Sequence, residues 1–191
     1  MTLTAGLIAL AVSVNYLLAS IPNVELMTAL IFVTGALLGW KYGLVAGLIA
    51  ESLFSIFNPF GPAPLPVFMF QVLGMMMAGL IGGMVSPVWL QKSTVPGPVR
   101  YGLLGGLGAL LSLQFDLMTT LGTALTMGFS GTGFMGLLTI GMVFYAIHVI
   151  SNAIIFAVLV PVLVRVMQER IPSRFEPTQT KPIEPTPTCE G

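Results

Sequence analysis

The chain has 191 residues, of which 55% are apolar and 7% charged, and its mean hydropathy is +0.97. A soluble domain needs charge on its outside, so a chain this apolar is expected to place its surface in lipid, with the bilayer as its solvent. Seven Lys plus Arg balance seven Asp plus Glu, which supplies no basic face for a phosphate backbone and argues against nucleic acid as a partner. The single cysteine, Cys189, allows neither an internal disulfide nor a thiolate metal cluster.

A helix needs roughly 20 residues at 1.5 Å each to cross the ~30 Å hydrocarbon core. With that ruler the chain parses into six helices: Leu3 to Ala19, Val24 to Leu38, Tyr42 to Phe57, Val67 to Leu90, Val99 to Met127 and Phe134 to Met167. The second and third are short, and the last two are long enough to tilt or protrude. The first, with no Lys or Arg and no small-residue cleavage pattern, reads as a retained helix rather than a removable signal. Turn-forming strings separate the six: Pro22-Asn23, Gly39 to Lys41, the proline-rich Asn58 to Pro66, Lys92 to Pro98, and the glycine-rich Gly128 to Gly133.

Basic residues in short loops are retained in the cytoplasm. Lys41 falls between helices two and three, Lys92 and Arg100 flank the turn between four and five, and Arg165, Arg170 and Arg174 mark the end of helix six. The other three loops contain none. The expected fold is therefore an all-α membrane protein, a six-transmembrane-helix bundle with both termini inside. Residues 1–170 form the membrane domain. Residues 171–191, with five prolines among Thr and Glu, bury too little apolar area to order and form a cytoplasmic tail.

Helices in lipid associate through small residues at four-residue spacing. Gly35, Gly39, Gly43 and Gly47 recur at that interval, with Gly39 falling in the turn, as do Gly102 and Gly106, and the helical glycines are expected to pack inside one bundle. Ala5 and Ala9 form a similar strip on helix one, suited either to the bundle or to a partner helix.

Polar side chains inside membrane segments are costly and face cavities or one another. Asn15 lies near the outer end of helix one and Gln71 in the first turns of helix four. Gln114 and Asp116 stand roughly 20–24 Å of helix rise beyond Arg100. His148 and Asn152 share one face of helix six, one turn apart. These six outline an outward-facing pocket beneath the proline-rich and glycine-rich loops, and are the candidate substrate-binding residues. Several have a plainer explanation. Asn23 and Glu25 suit the cap and first turn of helix two. Glu51, about 15 Å deep, could serve structure or ligand equally. Asp116 has no Lys or Arg at its depth, so it is protonated or otherwise paired, and it serves ligand or structure. His148, the only histidine, could contact a ligand or simply bond a neighbour on helix five or six.

No metal site is expected, because ligands are too few. No enzyme is expected, because the histidine has no nucleophile in register. No cofactor is implied, and without a phosphate-binding glycine loop any energy from ATP would come from another chain.

The stretch Ile21-Pro22-Asn23-Val24-Glu25 leading into an apolar Thr- and Gly-bearing helix, then Gly39 to Gly47, Asn58-Pro59-Phe60-Gly61-Pro62, Gln71-Val72-Leu73-Gly74-Met75 and Ala78 to Gly83, resembles the S components of energy-coupling factor (ECF) transporters over about Ala5 to Pro161. That resemblance implies a six-helix subunit in a bacterial or archaeal plasma membrane. It would capture a vitamin, vitamin precursor or metal ion outside, under the loops after helices one, three and five. It would join a transmembrane coupling protein and two ATPase subunits through an Ala-x-x-x-Ala strip, which Ala5 to Ala9 matches. The metal-ion branch carries a histidine near its N-terminus, which Met1-Thr2-Leu3-Thr4 lacks, so a vitamin-like ligand is the expectation. A structural membrane subunit similar to MreD-type morphogenesis proteins is the alternative.

Overall fold

A computed structural model describes residues 2–85 and 97–170. The turn containing Lys92, the proline-rich tail and Cys189 lie outside the described residues. Within them the chain is helical throughout, in six helices: α1 (Thr2–Leu18), α2 (Met27–Leu38), α3 (Trp40–Ile56), α4 (Leu65–Met84), α5 (Gly97–Met127) and α6 (Thr132–Arg170). Most boundaries fall within a few residues of those expected, because the Pro, Gly and Asn strings that end helices are unambiguous.

The chain is a helical membrane protein. Its outward faces are apolar: on α6, Val143, Ile147, Ile150, Ile154 and Val158 repeat every three or four residues and are all exposed. Its interior holds Asn15, Glu51, Ser55, Asp116, His148 and Asn152, all buried. A soluble protein has the opposite arrangement, and lipid selects this one.

The expectation of six crossings is met only in part. Helices α4, α5 and α6 are long and apolar enough to cross a membrane; α1, α2 and α3 are shorter, at 17, 12 and 17 residues. At 1.5 Å per residue α2 spans about 18 Å, well below the hydrocarbon thickness. It starts three residues later than expected because residues 19–26 form an irregular loop, in which Asn23 adopts a left-handed conformation (φ 56°). It stops at Gly39, whose φ of 98° is strained for a residue with a side chain.

Helix α2 is the centre of the molecule. Every residue from Met27 to Leu37 is buried, and the helix packs against each of the other five. Two apolar clusters share it. Phe32, Val33 and Ala36 meet Leu104 and Leu111 of α5 and Phe156, Val160 and Val164 of α6. Met27, Leu30 and Ile31 meet Ile8 and Ala11 of α1, Ala46 and Ala50 of α3, and Met75 of α4. The Phe32 and Phe156 rings pack tilted at 59° with centroids 5.1 Å apart.

Glycines set the helix spacing away from the loops Ile21–Glu25 and Asn58–Pro64. A methyl group on Gly43 would collide with the backbone of Gly79, and one on Gly79 with that of Gly43, so α3 and α4 touch main chain to main chain. Gly35 of α2 rests on the same Gly79, and Gly47 on Met75. For these three the expected interior packing holds. It does not hold for Gly102 and Gly106, which face open space. One face round the helix, Gly105 and Gly108 meet Ala153, Asn152 and Phe156 of α6 instead. The spacing of small residues identified the helix, and the position of its apolar neighbours decided which glycines turn inward.

Candidate ligand-binding site

Where the glycine contacts end, α3 and α4 carry polar groups. Near the last turn of α3, Ser55 Oγ donates to Glu51 Oε1 at 2.8 Å and lies 3.1 Å from Gln71 Oε1 of α4. Beside this pair a cavity of about 380 Å³ opens, within the size range of small-molecule sites. Its walls come from five helices and two loops. Asn15 and Leu18 come from α1, Glu51 and Phe54 from α3, Gln71 and Met75 from α4. Phe115, Asp116, Thr119 and Thr120 come from α5, Tyr145 and His148 from α6. The loop after α1 lines it along Ile21 to Glu25, and the loop after α3 through Asn58 and Phe60.

One network stitches the far ends of the chain together here. His148 faces two carboxylates: Nδ1 is 2.8 Å from Asp116 Oδ1 and Nε2 is 3.4 Å from Glu25 Oε1. Asn152 Nδ2 donates to the same Glu25 oxygen at 2.9 Å, and the other Glu25 oxygen accepts the Thr28 backbone N–H at 2.8 Å. Thr120 Oγ1 donates to the Asp116 carbonyl and meets the Tyr145 hydroxyl. Asn23 Nδ2 donates to the Phe144 carbonyl, and Ser151 Oγ donates to the Asn23 carbonyl. The first loop is therefore tied to α6 by both main chain and side chain.

Three buried polar atoms in this wall are left over among the described residues, the Thr119 hydroxyl and two acceptors. Asn15 Oδ1 and Asp116 Oδ2 have no hydrogen-bond partner among the described residues, although the residues are only 7% and 6% exposed. A buried polar atom without a partner costs about 1–3 kcal/mol, a cost that a bonded occupant of the cavity would relieve.

Of the six residues expected to bind substrate, Asn15, Gln71, Asp116 and His148 line this one cavity. The other two do not. Asn152 is fully buried and acts behind the wall, on Glu25. Gln114 turns into the α4–α5 seam, where the missing side chain of Gly74 leaves space beside its amide. Its amide nitrogen and oxygen have no partner among the described residues. On α5, positions 114 and 116 differ by about 200° of helix rotation, so they cannot share one wall.

The sequence reading missed Glu25, Asn23, Thr119, Thr120 and Tyr145, along with the aromatic wall. Glu25 does satisfy the first turn of α2, as expected, while Asn23 does not cap it: the residue before α2 is Leu26 and has no side-chain cap. The second role of Glu25 lies across 123 and 127 residues of sequence, where no local pattern reaches. Asp116, which had no basic residue at its depth, is partnered by the histidine. The glycine-rich loop 128–131 contributes no side chain to the cavity, and the short first loop contributes most of its rim.

On α1, Ala5, Gly6, Ala9 and Ser13 are exposed together along one face. Among the described residues no three His, Cys, Asp or Glu side chains are arranged to hold a metal ion. Comparison of the chain with protein-family models, curated proteins and solved structures finds no match.

Proposed function

We propose that this protein is the substrate-binding membrane subunit of an importer of the ECF type, capturing a small vitamin-like molecule for uptake driven by partner ATPases. The observation that carries this reading is the cavity. It is roofed by two loops, walled by Asn15, Gln71, Asp116 and His148, and retains two buried acceptors with no partner among the described residues. Such a site gains hydrogen bonds only when something enters it.

In this reading all six helices thread the bilayer, the shorter ones with help from local thinning. The loops over the cavity face outward because Lys41, Arg100 and Arg165 gather at the other end. The exposed small-residue face of α1 at Ala5 and Ala9 supports docking of a coupling-protein helix there, since close approach is what small residues permit.

Two measurements test the reading. The purified protein, denatured and analysed by mass spectrometry, should release one small organic molecule at near-stoichiometric amount; repeatedly empty preparations that no vitamin stabilises would overturn it. Affinity capture from its own membranes should recover a coupling protein and ATPases. Recovery of cell-shape scaffold proteins instead would favour an MreD-like structural role.

A further inference from the structure

Acidic and basic groups in the cavity do not balance. Glu25 from the first loop, Glu51 from α3 and Asp116 from α5 all line it, and no Lys or Arg is among the described residues that do. Among the described residues that line it, His148 is the one side chain able to carry positive charge. Set between two of the carboxyls, it stands as one basic group against three acidic ones.

The spare hydrogen-bonding capacity has the same sign. Glu25 is fully engaged, with Asn152 and His148 on one oxygen and the Thr28 N–H on the other. Asp116 is half engaged: Oδ1 meets His148, and Oδ2 has no partner among the described residues. Asn15 Oδ1, on the opposite wall and 93% buried, has none either. Both of these open atoms can only accept, and the third in the wall, Thr119 Oγ1, can accept or donate, so the occupant must bring donors. Phe54, Phe115 and Tyr145 add aromatic rings to the wall, whose faces attract cations.

A bare metal ion does not suit this geometry. The two carboxylates nearest His148 sit on opposite ring nitrogens and do not converge on one point. The space of about 380 Å³ calls for a molecule with a body.

We infer that the cavity selects a monovalent organic cation, a molecule with a protonated or quaternary nitrogen on an aromatic or alkyl frame, over neutral or anionic molecules of the same shape. This rests on the binding-subunit reading and specifies its cargo. The Asp116 and Glu51 carboxyls face the cation, Asn15 accepts a donor from the ligand, and the aromatic wall packs on its frame. Burial in a low-dielectric surrounding strengthens the attraction relative to water.

The test uses the full chain in nanodiscs. The molecule released on denaturation is identified and its charge at neutral pH assigned. In parallel, thermal shifts are recorded with nicotinate, nicotinamide and 1-methylnicotinamide, one ring carrying three charges, and with choline and benzyltrimethylammonium. The expected results are a released molecule bearing a cationic nitrogen and stabilisation by cationic but not anionic probes. The cation's Kd should weaken by at least about tenfold in Asp116→Asn and, independently, in Glu51→Gln. A released molecule that is neutral or anionic overturns the inference and leaves the binding-subunit reading standing. So does unchanged affinity in both folded variants. Preparations that hold nothing and respond to no probe remove both.

Discussion

Helices α3 and α4 form two different interfaces along one seam. At one end Gly43 and Gly79 bring the backbones into contact and leave no room for a methyl group. At the other, Glu51, Ser55 and Gln71 hold the same two helices through side chains, with a cavity beside them. Tight packing at one end lets the other stay open: a seam fixed by main-chain contact needs no close packing at the polar end, which is free to border a cavity.

Four substitutions test that division, from the largest expected effect on stability to the smallest. His148→Ala strips the partner from Asp116 and from part of Glu25, leaving buried carboxylates exposed to one another. It should cost about 3–5 kcal/mol and appear as a large fall in melting temperature of the empty protein. Gly79→Ala drives a methyl into the Gly43 carbonyl and should cost about 1–3 kcal/mol, measured by denaturant unfolding in mixed micelles. If it proves neutral, the seam is not the clamp described. Asn15→Leu removes a buried acceptor that no described residue satisfies. The empty protein should gain about 1 kcal/mol while losing ligand-dependent stabilisation, so that stability and binding move in opposite directions. Gly102→Ala, on the open face of α5, should raise stability by about 0.5–1 kcal/mol, and a loss there would mean that this face is covered.

Much of the fold was legible because lipid imposes length and the breakers impose ends. Five of the six helices begin within two residues of where the apolar runs and turn signals place them. The exception, α2, begins at Met27 rather than Val24 because Asn23 is drawn to the Phe144 carbonyl, a tertiary contact that a local pattern cannot contain. Half of the site was legible for a related reason. Asn15, Gln71, Asp116 and His148 are polar where lipid forbids it, so some interior had to receive them. Gln114 satisfied the same rule and yet turns elsewhere, since depth along a helix fixes height and not rotation. Glu25 was hidden by having a sufficient local explanation: one of its oxygens performs the capping role the sequence assigns, and the other reaches α6.

The 12-residue α2, enclosed on every side, has a consequence for how the protein is made. Synthesis delivers α1 and α2 first, when α3, α4 and α6 do not yet exist to surround them. Too short to sit comfortably among acyl chains alone, α2 must be held at the insertion machinery until later segments emerge. A nascent chain stalled after Leu38 should therefore remain extractable from membranes by alkali, and one released after Arg170 should not.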